Sequence, residues 1–330
     1  MSSTASGLET LPEDKSMSGM KIELVGRDDL WTYKSCDNYN ESPLTKSYVD
    51  AGKLPPVNER MPKEPWMAKK DQMVDGIGEY GGTFRHVIGG RPEGFNWLAG
   101  QSQGWGGINI QLMESLTRLG PLWQVKAEEA NPLPNLAKDW EFSSDRKSLT
   151  MYILEGARWS DGDIFDTEDI DFWWNDNVQD ANVNSRLPKD ALGAGTTLEI
   201  LGPYSFKFNF DEPKGNAVLA QLAYMGGAPG PSHVMKPLHP AYNSDATYES
   251  YANGMPASVL PIVTMGAFVP VVHKVDELMV MKRNPYYWKV DEECNQLPYY
   301  NETIYKLTSW DDRTTQALAC LLYTSPSPRD

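Results

Sequence analysis

Four runs decide the fold: Leu136-Ala-Lys-Asp-Trp-Glu-Phe142, Leu149-Thr-Met-Tyr-Ile-Leu154, Glu155-Gly-Ala-Arg-Trp-Ser-Asp-Gly162 and Phe165-Asp-Thr-Glu-Asp-Ile-Asp-Phe-Trp-Trp174. They read as strand, turn and helix in succession. The β-branched, aromatic and aliphatic content of residues 149–154 predicts a strand buried on both faces. Ser160-Asp161-Gly162-Asp163 is a turn cluster. Asp166 or Thr167 supplies an N-cap, and Glu168 and Asp169 put negative charge in the first turn, where the helix dipole favours it. Ile170, Trp173, Trp174 and Val178 then recur at helical spacing as one apolar stripe. No catalytic group stands out, so the segment reads as scaffold. Trp159 is expected to pack, and Asp161 to fix the turn through its own backbone.

Working outward, 330 residues can hold two or three domains. A hydrophobic content of 40% and a mean hydropathy of -0.50 describe a globular chain, and no apolar run reaches membrane-spanning length. The formal charge of -15 argues against a nucleic-acid partner, whose phosphates would be repelled, but not against a membrane-associated protein partner. Eleven tryptophans and sixteen tyrosines are core residues in the plain reading and stacking platforms in a ligand cleft in the functional one. Cys36 and Cys294 would be able to pair in an exported protein, yet nothing in the sequence brings them together, and no disulfide is expected.

Several tempting motifs carry little. Gly76-Ile-Gly78-Glu-Tyr-Gly81 fits GxGxxG, but a polar segment precedes it and a strand follows, so phosphate would meet no helical N–H groups. Asp161, Asp163, Asp166, Glu168 and Asp169 lack calcium-loop spacing, and His86, His233, His239 and His273 are scattered. No metal and no cofactor are expected. Glu141, Asp161 and Asp169 would suit an acid–base pair only because acids are plentiful, which leaves a secreted glycoside hydrolase as the alternative from another class.

Residues 1–75 are polar and proline-punctuated and read as an extended arm. Strands are expected over residues 79–88, 278–282 and 300–308, and helices over 107–118 and 216–224. Tyr204, Phe206, Phe208 and Phe210 alternate with Ser205, Lys207 and Asn209, giving a strand with one aromatic face. Strands and short helices mix without a βαβ rhythm, which indicates an α/β or α+β class.

Taken with Tyr80-Gly-Gly-Thr-Phe84, Pro231-Ser-His-Val-Met235, Gly266-Ala-Phe-Val269 and Arg283-Asn-Pro-Tyr-Tyr-Trp288, the opening runs resemble the family 5 solute-binding proteins of peptide ABC importers. The similarity covers residues from about 41 to 319. Two positions depart from the family pattern: Glu155 stands where a basic residue is usual, and Cys294 where a glycine precedes Asn295. The resemblance implies an α/β fold of the bilobal, hinge-closing periplasmic-binding-protein type II. Residues 76–118 and 203–319 would then form the first lobe and residues 119–202 an extra subdomain. It further implies a non-enzymatic subunit that captures peptides, or alternatively oligosaccharides. That subunit would work as a monomer with transporter membrane subunits, on the periplasmic or extracellular face. A closing cleft needs aromatic and small residues near strand ends, which nominates Phe95, Asn96, Trp97 and Trp105 as ligand contacts.

The two ends read differently from the rest. Residues 320–330 match a translated sequencing adapter and are expected to be an artefact. The protein would then continue past Ala319, and residues 1–319 alone would bind ligand poorly. The start shows no basic and apolar leader, so a signal peptide is expected upstream.

Overall fold

The computed structural model describes residues 24–70, 73, 76–88, 91–104, 107–120, 125–126, 129 and 131–318. Two four-stranded sheets carry the α/β architecture. The central sheet has the order Phe268–Lys274, Leu278–Arg283, Glu302–Leu307, Thr83–Ile88. Its first three strands are antiparallel, and Thr83–Ile88 adds in parallel along Glu302–Leu307. The outer sheet is wholly antiparallel, in the order Ala137–Phe142, Ser148–Ile153, Ser205–Asn209, Thr197–Gly202. The expected boundary between residues 202 and 203 falls in the turn of its last hairpin, and the returning strand stays with this sheet.

Helix packing covers one side of the outer sheet only. Leu149, Met151 and Ile153 are buried while Tyr152 points outward, so this strand is buried on one face and not on two. The aromatic face is as read: Phe206 and Phe208 are buried and meet edge to face at 5.4 Å. Phe208 lies 4.8 Å from the Trp174 ring. Asp166 is the N-cap, accepting from the Glu168 N–H at 2.7 Å, and Asp169 reciprocates in a capping box. The helix runs Thr167–Asp171 and loosens to π geometry over Phe172–Val178. Ile170, Trp173, Trp174 and Val178 are all buried, as the apolar stripe requires.

The helix expected over 107–118 stops early, at Ile108–Leu112. The Leu112 carbonyl is claimed by the Thr264 hydroxyl and by the Gly266 N–H at 3.0 Å, and Met113 turns extended. Gly266 is required there, because a Cβ would sit 2.2 Å from the Gln111 carbonyl oxygen. A tertiary contact thus overrides helical propensity.

The described part of the arm is folded and fastened. It holds the helices Pro43–Asp50 and Val57–Arg60. Its strand Trp66–Ala68 lies between Trp31–Tyr33 and Lys289–Asp291 in a three-stranded sheet. Contrary to the sequence expectation, Cys36 and Cys294 form a disulfide, with Cα atoms 6.2 Å apart across 258 residues. Backbone pairing of Asn40 with Cys294 and Gln296, through hydrogen bonds of 2.9 Å, brings the cysteines together. Cys294 has φ +62°, a left-handed conformation that glycine adopts readily, so its departure from the family glycine falls on a turn.

Candidate functional site

The Trp159-Ser160-Asp161-Gly162 turn is a structural hub. Trp159 is fully buried, packs edge-on to Phe165 at 6.0 Å and donates its indole N–H to Asp169 at 2.9 Å. Asp161 accepts from the Asp163 N–H at 3.2 Å, closing the turn as expected. Asp169 also accepts from the Ser232 N–H at 2.8 Å, and burial pushes its carboxyl up to about 6. His233 lies 2.8 Å from Asp161 and 3.1 Å from Asp163. Burial opposes its protonation, but the hydrogen bond it donates to Asp161 and the surrounding carboxylates outweigh it and raise the His233 pKa.

The folded protein therefore holds the His233 proton more tightly than the unfolded chain does. This contribution to stability is fully present below pH of about 6.5 and is lost as pH rises through the higher folded value. The melting-temperature gap between the wild type and His233→Gln is expected to be largest on the acid side and to shrink as pH rises through the folded value. A gap independent of pH would contradict the assignment.

A cavity of about 660 Å³ lies between the arm, the end of the Ile108–Leu112 helix and the segment around Tyr224. Its floor is a buried charge cluster. Glu114 accepts from Lys289 at 2.9 Å through both oxygens, from the Tyr287 hydroxyl at 2.7 Å and from the Asn135 amide at 2.8 Å. Burial alone would raise the Glu114 carboxyl, but Lys289, Arg118 and these hydrogen bonds hold it below its usual range. Burial lowers Lys289 to about 8, and its ammonium sits 4.6 Å from the Trp288 ring centroid and 5.4 Å from that of Trp66. Arg118 stacks over Trp66 at 5.1 Å.

The rim is apolar and open: Ile110, Leu119 and Tyr224 are 59%, 48% and 53% exposed. Beside it, Arg186 donates to the Gln101 carbonyl, and the Glu93 carboxylate acts on its charge. Gln103 is buried, with Oε1 unpartnered among the described residues. At the cavity itself, Trp66 Nε1 and Asn135 Oδ1 are likewise without partners among the described residues.

Of the residues nominated from sequence, Phe95, Asn96 and Trp97 are buried together in one short turn. Asn96 donates to the Tyr251 carbonyl at 2.7 Å and caps Ala99 at 3.3 Å, while Trp97 donates to the Pro229 carbonyl at 3.1 Å. Their polar groups are committed within the chain. Trp105 lies outside the described residues. The sequence reading missed the Glu114–Lys289 cluster, whose members are 175 residues apart, and it took Tyr224 as the end of a helix. Among the described residues no group of three metal-binding side chains comes together, and no helix is long and apolar enough to cross a membrane.

The profile of bacterial extracellular solute-binding proteins, family 5 Middle, matches residues 131–320. Over 303 residues the chain is 51% identical to the periplasmic alpha-galactoside-binding protein of Rhizobium meliloti, covering 91% of this chain and 43% of that protein. It superimposes with a TM-score of 0.88 at 46% identity on the periplasmic binding protein MelB of Agrobacterium fabrum C58 in complex with stachyose, covering 96% of this chain and 47% of that one. An oligopeptide-binding protein OppA matches with a TM-score of 0.69 at 28% identity, over 88% of this chain and 44% of its own. The chain thus spans under half the length of the relatives it matches.

Proposed function

Because the chain belongs to the family 5 bacterial extracellular solute-binding proteins, we propose that it captures α-galactosides as the substrate-binding subunit of an ABC importer. The observation that carries this reading is the 51% identity, across 91% of the chain, to an alpha-galactoside-binding protein. Oligosaccharide thereby replaces peptide as the leading ligand, since the similarity to the peptide-binding relative is lower. The cavity supports the same choice. Its buried Glu114 and Lys289 neutralise each other, which leaves ring faces and hydrogen-bonding groups beside a single guanidinium, Arg118, stacked over Trp66. That chemistry suits the C–H faces and hydroxyls of a sugar better than the two charged ends of a peptide.

In this reading the protein works at the periplasmic or extracellular face, delivers ligand to membrane subunits and performs no chemistry. The Cys36–Cys294 disulfide is in keeping with an oxidising compartment. A thermal-shift panel on the protein tests the proposal. Raffinose and stachyose are expected to raise the melting temperature and di- and tripeptides to leave it unchanged. Stabilisation by peptides alone would restore the peptide reading, and turnover of a glycoside would favour a hydrolase.

A further inference from the structure

We infer that Tyr224 is the platform on which a pyranose ring of the ligand stacks. This rests on the α-galactoside reading above and assigns a residue and a mode of contact to it. The first observation is conformational. Tyr224 has φ +62°, in the left-handed region where a bulky side chain with a Cβ is strained. The chain places glycines nearby, at Gly226 and Gly227, yet keeps a tyrosine at the position where glycine would fit without strain.

The second observation is that folding does not use the ring as core. Tyr224 remains 53% exposed, so the strain is not offset by burial. What the backbone turn does is hold the ring at the mouth of the 660 Å³ cavity. The third is that the residue is held at both ends. Its N–H donates to Ser115 Oγ at 3.1 Å, and its hydroxyl accepts from Asn109 Nδ2 at 2.8 Å. An aromatic fixed in this way stacks without losing rotamer freedom on binding.

The surroundings complete a sugar subsite. Ile110 and Leu119 flank the mouth with exposed apolar surface, which matches the C–H patches of galactose. No hydrogen bond among the described residues uses Asn109 Oδ1, which is free to accept from a sugar hydroxyl. Three large apolar side chains exposed around one opening differ from the scattered exposed residues of an ordinary surface.

The test separates this inference from the functional reading by pairing stability with affinity. Tyr224→Gly removes the ring and relieves the backbone. Its melting temperature is expected to equal or exceed that of the wild type, while stachyose affinity falls about tenfold or more, equivalent to about 1.4 kcal/mol. Tyr224→Phe keeps the ring and loses only the bond from Asn109, so its affinity is expected to stay within about threefold of the wild type. Wild-type binding that Tyr224→Gly leaves unchanged would overturn this inference alone. So would an equal loss in the Phe variant, which would assign the contact to the hydroxyl. Failure of the wild type to bind either raffinose or stachyose would overturn the functional reading itself.

Discussion

Trp159→Ala is expected to destabilise the protein by about 3–5 kcal/mol, the range for removing a fully buried large aromatic. Trp159 has no exposed surface and packs on Phe165. Its indole N–H is one of the donors that hold Asp169. The alanine variant therefore leaves a cavity and a buried carboxylate short of a donor. Asp169 also binds the Ser232 N–H, so the damage should reach the contact between the turn and Ser232–Met235. Trp159→Phe retains most of the volume and loses the donor, and a cost of about 1–3 kcal/mol is expected. Urea unfolding followed by tryptophan fluorescence measures both. An alanine cost below about 1 kcal/mol would mean that the turn is not the hub described.

Glu114→Ala should be comparably severe, at about 3–5 kcal/mol, because it strands a buried ammonium. Lys289 has 6% side-chain exposure and Glu114 has 12%, so water cannot readily replace the lost partner. The variant also removes the acceptor for the Tyr287 hydroxyl and one acceptor of the Asn135 amide. The double replacement Glu114→Leu with Lys289→Met removes both charges and keeps approximate volume. It is expected to recover much of the loss, since a buried ion pair exchanged for apolar side chains is often close to neutral. Chemical denaturation of Glu114→Leu, Lys289→Met and the double gives the coupling as a cycle. Additive losses would contradict the account of a mutually dependent pair.

What was legible in the sequence is local. The Asp166 cap, the Trp159–Gly162 turn, the aromatic face of Ser205–Asn209 and the apolar stripe through Ile170 and Trp174 each depend on residues a few positions apart, whose periodicity reports the local environment. Tertiary contacts set what was missed. The Cys36–Cys294 bridge is made by backbone pairing around Asn40, which has no sequence signature. The early end of the Ile108–Leu112 helix is caused by Thr264 and Gly266, about 150 residues away. Residues 149–154 have a composition that fits burial on one face or two, and only the one-sided helix packing decides between them.

The site divides in the same way. Reading loops for aromatic residues found Phe95–Trp97, a turn whose polar groups serve the chain itself. It passed over Tyr224, whose left-handed backbone appears only in three dimensions. An aromatic residue two positions before a Gly-Gly pair was the one available hint, and periodicity alone assigned it to a helix.

Isothermal titration of the protein, with raffinose in one arm and sucrose in another, tests the central claim most directly, because the two sugars differ by one α-galactosyl unit. The account predicts saturable binding of raffinose, with sucrose weaker by about tenfold or more. Equal affinity for the two sugars, or saturation by a tripeptide and by neither sugar, would contradict it.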